Sequence, residues 1–338
     1  MSAKFSHLHY FRQREIPPSS TSLRPLLFAL ALGTCGLFGQ GPEEAAMHHP
    51  SPAEQTSLER GDGPSFEEQV VEIVNQERWT NGQRPPLKHN AILDQSSETH
   101  SVNMATRDFF AHCDLDTGTS AGQRMTQAGY TWNAWGENIA AGQQTPASVM
   151  NGWMNSQGHR NNILSETYRE IGVGYAFQTG DGNNVRLDSD GNCSADGTSG
   201  PFFHYWTQNF GRNGSTYPVV INREAYETEL TAVELYVYGS GEFTEMRFRN
   251  DGGTWSDWEP FSTDVNWILN AVNGVREVDA ELRRGNGSTV QASDTIVLTQ
   301  ACVTEAAWWG QVAAWPVPNV TSVLTLMQMQ DNLCEVAF

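Results

Sequence analysis

Between residues 65 and 216, apolar positions recur at helical spacing in some stretches and alternate in others. Phe66, Val70, Ile73 and Val74 share one helical face, with Ser65 placed as its N-cap. The "RPPL" run at 84–87 ends that helix, because proline lacks a donor and disfavours helix before it. A second helix is expected over 89–108, where Leu93, Ser97, His100, Ser101 and Met104 make a mixed apolar and small face. His100 on that face reads as a packing residue. A third, short helix fits "TSAGQRMTQAG", and a fourth fits "TPASVMNGWMNS", capped by Thr145 with Pro146 in its first position. Strand-like runs follow at "IGVGYAFQ" and "FFHYWTQNFG", so 65–216 reads as one layered domain of mixed helices and strands.

After Tyr217 the period changes. "AVELYVYG", "EMRFRNDG", "WSDWEPF", "VREVDAELRRG" and "DTIVLT" are short alternating runs separated by Gly, Asn and Asp, the spacing of a β-sandwich over 217–300. Two independently packed modules joined by a short linker are expected. Residues 301–338 have no clear period and read as a C-terminal extension. Residues 40–64 are polar and proline-bearing, a linker in which His48 and His49 are solvated.

Ahead of that linker, Lys4, Arg12, Arg14 and Arg24 precede an apolar run from Leu26 to Phe38. Thirteen residues are too few to span a bilayer as a helix, but they suit the apolar region of a signal peptide occupying 1–39. Cys35 in "LGTC" loosely resembles a lipoprotein signal, although Thr34 fits poorly. The chain therefore reads as exported, secreted or held in the cell envelope, with no membrane span in its mature form. Its net charge of −19 becomes more negative once the basic leader is removed, which argues against nucleic acid as a partner. Four cysteines then remain: Cys113, Cys193, Cys302 and Cys334. An even number in an oxidising compartment suggests two disulfides. Proximity along the chain favours Cys113–Cys193 and Cys302–Cys334 among the three possible pairings.

Candidate chemistry lies in three segments. "FFAHCD" places His112 at the end of the second helix, "WGENIAAG" places Glu137 in a Gly-Glu-Asn turn, and "SQGHR" places Ser156 three residues before His159. Two imidazoles and a carboxylate are a ligand set for Zn²⁺, or a general-base pair for activating water. Spacing alone leaves open whether they meet.

The order of the segments carries more. "VNQERWTNGQRPPLKHNAILDQSSETHSVNMATRDFFAHCD", "AGYTWNAWGENIAAG", "WMNSQGHRNNILSETYREIGVGYA" and "YWTQNFG" together resemble the CAP superfamily of cysteine-rich secretory, antigen 5 and pathogenesis-related 1 proteins, in its bacterial branch. The resemblance covers about 66–211. It implies an α+β fold, a three-layer α-β-α sandwich whose central cleft carries a histidine–glutamate tetrad, followed here by the small β-sandwich. His112 matches the first histidine, Glu137 the glutamate of the Gly-Glu-Asn motif, and His159 the second histidine, in a Gly-His turn. The remaining glutamate of eukaryotic members falls at Ser156, so one carboxylate is missing. Asn138 is expected to bond backbone within its turn. Trp153, Tyr205 and Trp206 are expected in the core, and His204 is placed there in preference to the cleft.

Two further patterns invite a ligand. Asp188, Asp190, Asn192 and Asp196 have the spacing of a Ca²⁺ loop, but its twelfth position is Ser199, so an acidic turn held by Cys193 is the preferred reading. Trp255, Trp258 and Trp267 form either a carbohydrate platform or, preferably, sandwich core. "MRFRNDGGTWSDWEPF" and "SDTIVL" resemble immunoglobulin-like or fibronectin-like modules of secreted bacterial proteins. The missing carboxylate favours a non-catalytic protein that binds a divalent metal, a small apolar molecule, a lipid or a cell-surface component. The alternatives are a metal-assisted hydrolase of peptide or cell-wall material, and an adhesion protein with a vestigial cleft. Ser156 lacks a Gly-x-Ser-x-Gly elbow and does not read as a nucleophile.

Overall fold

A computed structural model describes residues 63–300. The signal segment, most of the 40–64 linker, the 301–338 extension and the expected Cys302–Cys334 bridge lie outside the described residues. The first half contains helices α1 (Phe66–Thr80), α2 (Ala91–Thr106), α3 (Ala121–Gln127), α4 (Pro146–Asn155) and α5 (Gln157–Ile163). Its strands are β1 (Lys88–His89), β2 (Phe109–Phe110), β3 (Ala134–Ala141), β4 (Glu170–Phe177), β5 (Val185–Leu187), β6 (Gly197–Ser199) and β7 (His204–Arg212). A four-stranded sheet in the order β1-β4-β7-β3 forms the middle layer.

Strand alternation assigns its two faces. Val173, Trp206 and Phe210 pack with Val70, Val71 and Val74 of α1 and Val149, Met150 and Trp153 of α4. On the other face, Ile139, Ala176 and Tyr205 pack with Met104 and Ala105 of α2. This is the expected three-layer α-β-α sandwich.

The seating of α2 depends on two glycines of β4. A Cβ on Gly172 would stand 2.1 Å from the Leu93 carbonyl carbon, and one on Gly174 would stand 2.1 Å from the Glu98 nitrogen. The close approach lets Ser97 and Ser101 hydroxyls donate to the Gly172 and Gly174 carbonyls. It also closes a sheet edge. Strand β1 pairs with β4 only at Glu170 and Ile171, and beyond them Val173 N–H donates to Asp94 at 2.8 Å and Tyr175 N–H to Glu98 at 3.0 Å. Two carboxylates one helical turn apart thus replace the missing strand.

The second half holds β8 (Val219–Ile221), β9 (Glu227–Thr228), β10 (Ala232–Val237), β11 (Glu245–Asn250), β12 (Glu259–Pro260), β13 (Asp264–Ile268), β14 (Gly274–Arg283) and β15 (Thr289–Leu298). Sheets ordered β13-β10-β8 and β12-β11-β14-β15-β9 face each other over Val219, Val233, Leu235, Phe248, Val278 and Ile296. This is a β-sandwich. No described strand of the first half pairs with one of the second, and side chains join the halves. Lys88 reaches Asp294 at 2.5 Å and Glu224 at 3.0 Å, Tyr238 Oη donates to the Pro86 carbonyl, and Arg169 lies over the Tyr217 ring. Asp294 is almost fully buried, so this ion cluster welds the modules and holds charge that neither could leave unpaired.

Trp255 and Trp258 are not core. On the outer face of β11 and β14 the rings and guanidiniums alternate: Arg283 lies 4.1 Å from Trp258, Arg247 lies 4.5 Å from Trp258 and 5.1 Å from Trp255, and Arg249 lies 4.4 Å from Trp255. Each arginine also meets the carboxylate directly across the strand pair, Glu245, Glu281 or Asp279. The preference for core missed this because outward-facing arginines, not apolar neighbours, cover the rings. Trp267 does pack inward, against Phe248.

The tightness of the α2 seat gives an expected outcome. Gly174→Ala should cost about 3 kcal/mol, the scale of overpacking against unyielding backbone, whereas Gly180→Ala, with open space around it, should cost little. Urea midpoints of the two variants measure this. An unshifted midpoint for Gly174→Ala contradicts the assigned helix–sheet contact.

Candidate functional site

Strand β3 is the edge of the central sheet opposite β1, and the candidate residues gather along it. Glu137 lies inside this strand, not in the turn the Gly-Glu-Asn motif suggested. Alternation sends Trp135, Glu137 and Ile139 to the α2–α3 side, and Gly136, Asn138 and Ala140 to the other. His112 follows β2, because α2 stops at Thr106 and Asp108 adopts a left-handed φ of 52°. Helix was expected to run to 108. His159 sits in the first turn of the separate helix α5, not in an open turn.

His112 Nδ1 contacts Glu137 Oε1 at 2.9 Å. A carboxylate only accepts, so Nδ1 carries the proton and, in the neutral ring, Nε2 is left as an acceptor. The other carboxylate oxygen belongs to Arg124, whose Nη2 donates to Glu137 Oε2 at 2.6 Å and to the His112 carbonyl at 3.0 Å. Arg124 Nη1 donates to the Thr119 carbonyl at 2.8 Å. Arg124 and Glu137 are both nearly fully buried, while the His112 ring is largely exposed above them. Burial pushes the Glu137 carboxyl up, but His100, the His112 hydrogen bond and Arg124 outweigh it and hold the pKa below the usual value. Burial drives His100 itself down to about 4, so at neutral pH the charge beside Glu137 is that of Arg124. Burial and the neighbouring His112 also lower the pKa of His159.

His112 and Glu137 meet, and His159 lies near enough to His112 for its charge to be felt. Among the described residues, no three His, Cys, Asp or Glu side chains are placed to hold one metal ion. Glu137 holds the Arg124 guanidinium on one oxygen and the His112 N–H on the other. Ser156 joins α4 to α5 as a cap residue and makes no side-chain capping bond. Asn138 bonds the His159 carbonyl at 3.2 Å and the Gln208 side chain at 3.1 Å, reaching across the sheet edge and not within a turn. Asn162 ties α5 to the same strand through the Glu137 carbonyl and Asn138 Oδ1. Trp153 is buried and donates to the Ile139 carbonyl. His204 is buried against Phe177 and bonded by Tyr175, away from the cleft.

The segment bearing His112 is braced from outside. Strand β2 joins a small sheet with the β5–β6 hairpin, and Cys113 forms the expected disulfide with Cys193. In the acidic loop of that hairpin, Asp188 accepts from Asn192 and Cys193 backbone N–H groups, and Asp196 from Ser189. The carboxylates close a turn around backbone instead of sharing a centre.

Comparison with known proteins agrees with this architecture. Residues 71–210 match the model of the cysteine-rich secretory protein family, CAP. The chain is 38% identical over 136 residues to the uncharacterized protein YkwD of Bacillus subtilis, covering 39% of this chain and 52% of YkwD. It is 29% identical over 108 residues to the uncharacterized membrane protein YlbC of the same organism, covering 32% of this chain and 31% of YlbC. The chain thus spans about half of one relative and a third of the other. Among solved structures it is similar to an extracellular protein containing a SCP domain from Bacillus anthracis, with 25% identity, a TM-score of 0.34 and coverage of 52% of this chain and 45% of that one.

The residue that sequence reasoning missed is Arg124. Its removal should be costly: Arg124→Met leaves Glu137 buried and unpaired, with an expected loss of about 3–5 kcal/mol. Arg124→Met combined with Glu137→Leu removes both charges and should recover most of that loss. Chemical denaturation of the single and double variants decides it. Additive losses contradict a coupled pair.

Proposed function

We propose that this chain is an exported protein whose CAP domain captures a small amphipathic molecule at the β3 edge without chemically changing it. The observation that carries the reading is the engagement of both Glu137 oxygens, by Arg124 at 2.6 Å and His112 at 2.9 Å. A general base works best with a pKa near the working pH, and that of Glu137 is held below the usual carboxylate value. Glu137 instead orients His112. The ring then presents Nε2 as an acceptor at the mouth of the cleft. On β3, Trp135 lies two residues from Glu137 on the same face and is 38% exposed. A hydroxyl donor at one end of a ligand and an apolar body at the other suit this pair.

Export is supported by the basic and apolar leader, the Cys113–Cys193 disulfide and the strongly acidic charge. No helix among the described residues is long and apolar enough to cross a membrane. The β-sandwich serves as a rigid attachment, because the Lys88 cluster fixes it to the CAP domain.

Titration with 1-octanol, followed by tryptophan fluorescence and by histidine nitrogen resonances, tests the proposal. Saturable binding should shift the His112 Nε2 signal, and His112→Ala or Trp135→Ala should each weaken it about tenfold, the loss of one good contact. No hydrolysis of p-nitrophenyl acetate or casein above the buffer rate is expected. Turnover that disappears in Glu137→Gln contradicts the non-catalytic reading, and binding indifferent to both variants contradicts the site.

A further inference from the structure

The loop between β8 and β9, residues 222–226, lies along the first module as a strap. Asn75 Nδ2 of α1 donates to the Arg223 carbonyl at 3.0 Å, and Glu72 of α1 accepts from the Tyr226 N–H at 2.5 Å. The Arg223 guanidinium stands 3.9 Å from the centre of the Trp79 ring. The strap is held in a costly shape. Asn222, Arg223 and Glu224 have φ of 43°, 58° and 64°, three left-handed residues in succession and none of them glycine. This region crowds Cβ against the following carbonyl, so the contacts with α1 and β1, and not local preference, keep the strap closed.

At the centre of the strap, Glu224 meets a charge imbalance. Its side chain is 9% exposed and that of Asp294 2%, and the two carboxylates converge on one ammonium, Lys88 Nζ, at 3.0 and 2.5 Å. Asp294 is the better supplied, since it also accepts from the Ile221 and Thr295 N–H groups at 2.7 Å each. Glu224 Oε1 is buried without a well-aligned hydrogen bond among the described residues. The other charged groups around the strap do not restore the balance. His89 of β1 is committed to Asp94 of α2 at 2.9 Å, Arg223 to Glu234 of β10 at 3.1 Å, and Glu72 adds a further carboxylate from α1. Two buried carboxylates sharing one cation leave a surplus negative charge, which a proton on Glu224 removes.

We propose that Glu224 is a proton-operated latch: protonated, it lets the strap close on the first module, and ionised, it releases the strap and loosens the joint between the modules. Burial, and then Asp294, push the Glu224 carboxyl up from the ordinary 4.5 to about 7, against the pull of Lys88 and His89. A raised carboxyl favours the closed strap most below pH 4.5 and gives up that contribution as pH climbs through about 7. His89 works in the same direction. Burial lowers its pKa, but Asp94 outweighs burial and raises it, so the positive charge near Glu224 also fades as the medium turns alkaline. Burial lowers the pKa of Lys88 as well, but Asp294 and Glu224 outweigh it, and the ammonium keeps its charge across this window. Asp294 therefore retains its partner, and the modules stay joined when the strap opens. Opening frees three left-handed residues, which gain conformations that the closed strap denies them.

Hydrogen exchange of the mature protein tests the latch. Rates for residues 222–227 at about pH 5.5 and about pH 8.5 are each divided by the rate in Glu224→Gln at the same pH, which cancels the intrinsic effect of pH on exchange. The neutral carboxamide copies the protonated state, so the ratio should rise about tenfold or more between the two pH values, tenfold for each unit of pKa shift. The ratio for residues 278–282 of β14, in the sandwich core, should stay flat. A carbon-13 titration of the Glu224 carboxyl, which does not depend on the variant folding, should show a midpoint near 7. A flat ratio in the strap, an equal rise in β14, or a midpoint at or below the ordinary glutamate value would overturn the proposal.

Discussion

Arg124 is shared between two backbone carbonyls and one carboxylate, and the site takes its form from that arrangement. The guanidinium comes from α3, accepts no proton exchange at ordinary pH, and donates to Thr119, to His112 and to Glu137 of β3. A buried carboxylate needs such a partner, since an unpaired charge away from water costs several kcal/mol. Once Glu137 is fixed, its second oxygen orients His112 and selects the Nδ1-protonated tautomer. One ion pair therefore sets the position of the loop, the direction of the imidazole and the chemistry left to the cleft.

The surrounding architecture keeps this pair dry and aligned. Gly172 and Gly174 admit α2 to the sheet, and Asp94 and Glu98 finish the open edge of β4. At the opposite edge, Asn138 and Asn162 hold α5 against β3. The Cys113–Cys193 bridge restrains the chain next to His112 and closes a loop with a sequence separation of 80, a cross-link of the kind typically worth about 2–4 kcal/mol. The second module extends the restraint, since Lys88 lies in β1 and its carboxylate partners in the sandwich.

Much of this was legible in the sequence. Helical and alternating periods gave α1 through α4, strands β4 and β7, and the change to sandwich spacing near Tyr217. Motif order marked His112 and Glu137, which the structure brings into contact. The failures have specific causes. Glycine before Glu137 suggested a turn, although Trp135, Glu137 and Ile139 alternate with Gly136, Asn138 and Ala140 as a strand requires. The β5–β6 hairpin lacks apolar alternation and is held by β2 and a disulfide, so no periodic signal announced it. Arg124 was not singled out in the sequence. Its signal was present: it falls between Ala121 and Met125 on the buried stripe of α3, where an arginine must find a partner.

The ionisation of Glu137 tests this account most directly. Carbon-13 NMR titration of its carboxyl group, assigned with Glu137→Gln, should give a pKa below the ordinary glutamate value, because Arg124 and His112 outweigh burial. In Arg124→Met the same signal should move upward. A wild-type value raised toward neutrality would mean that burial wins, that Glu137 is free to exchange protons, and that the cleft is built for acid–base chemistry after all.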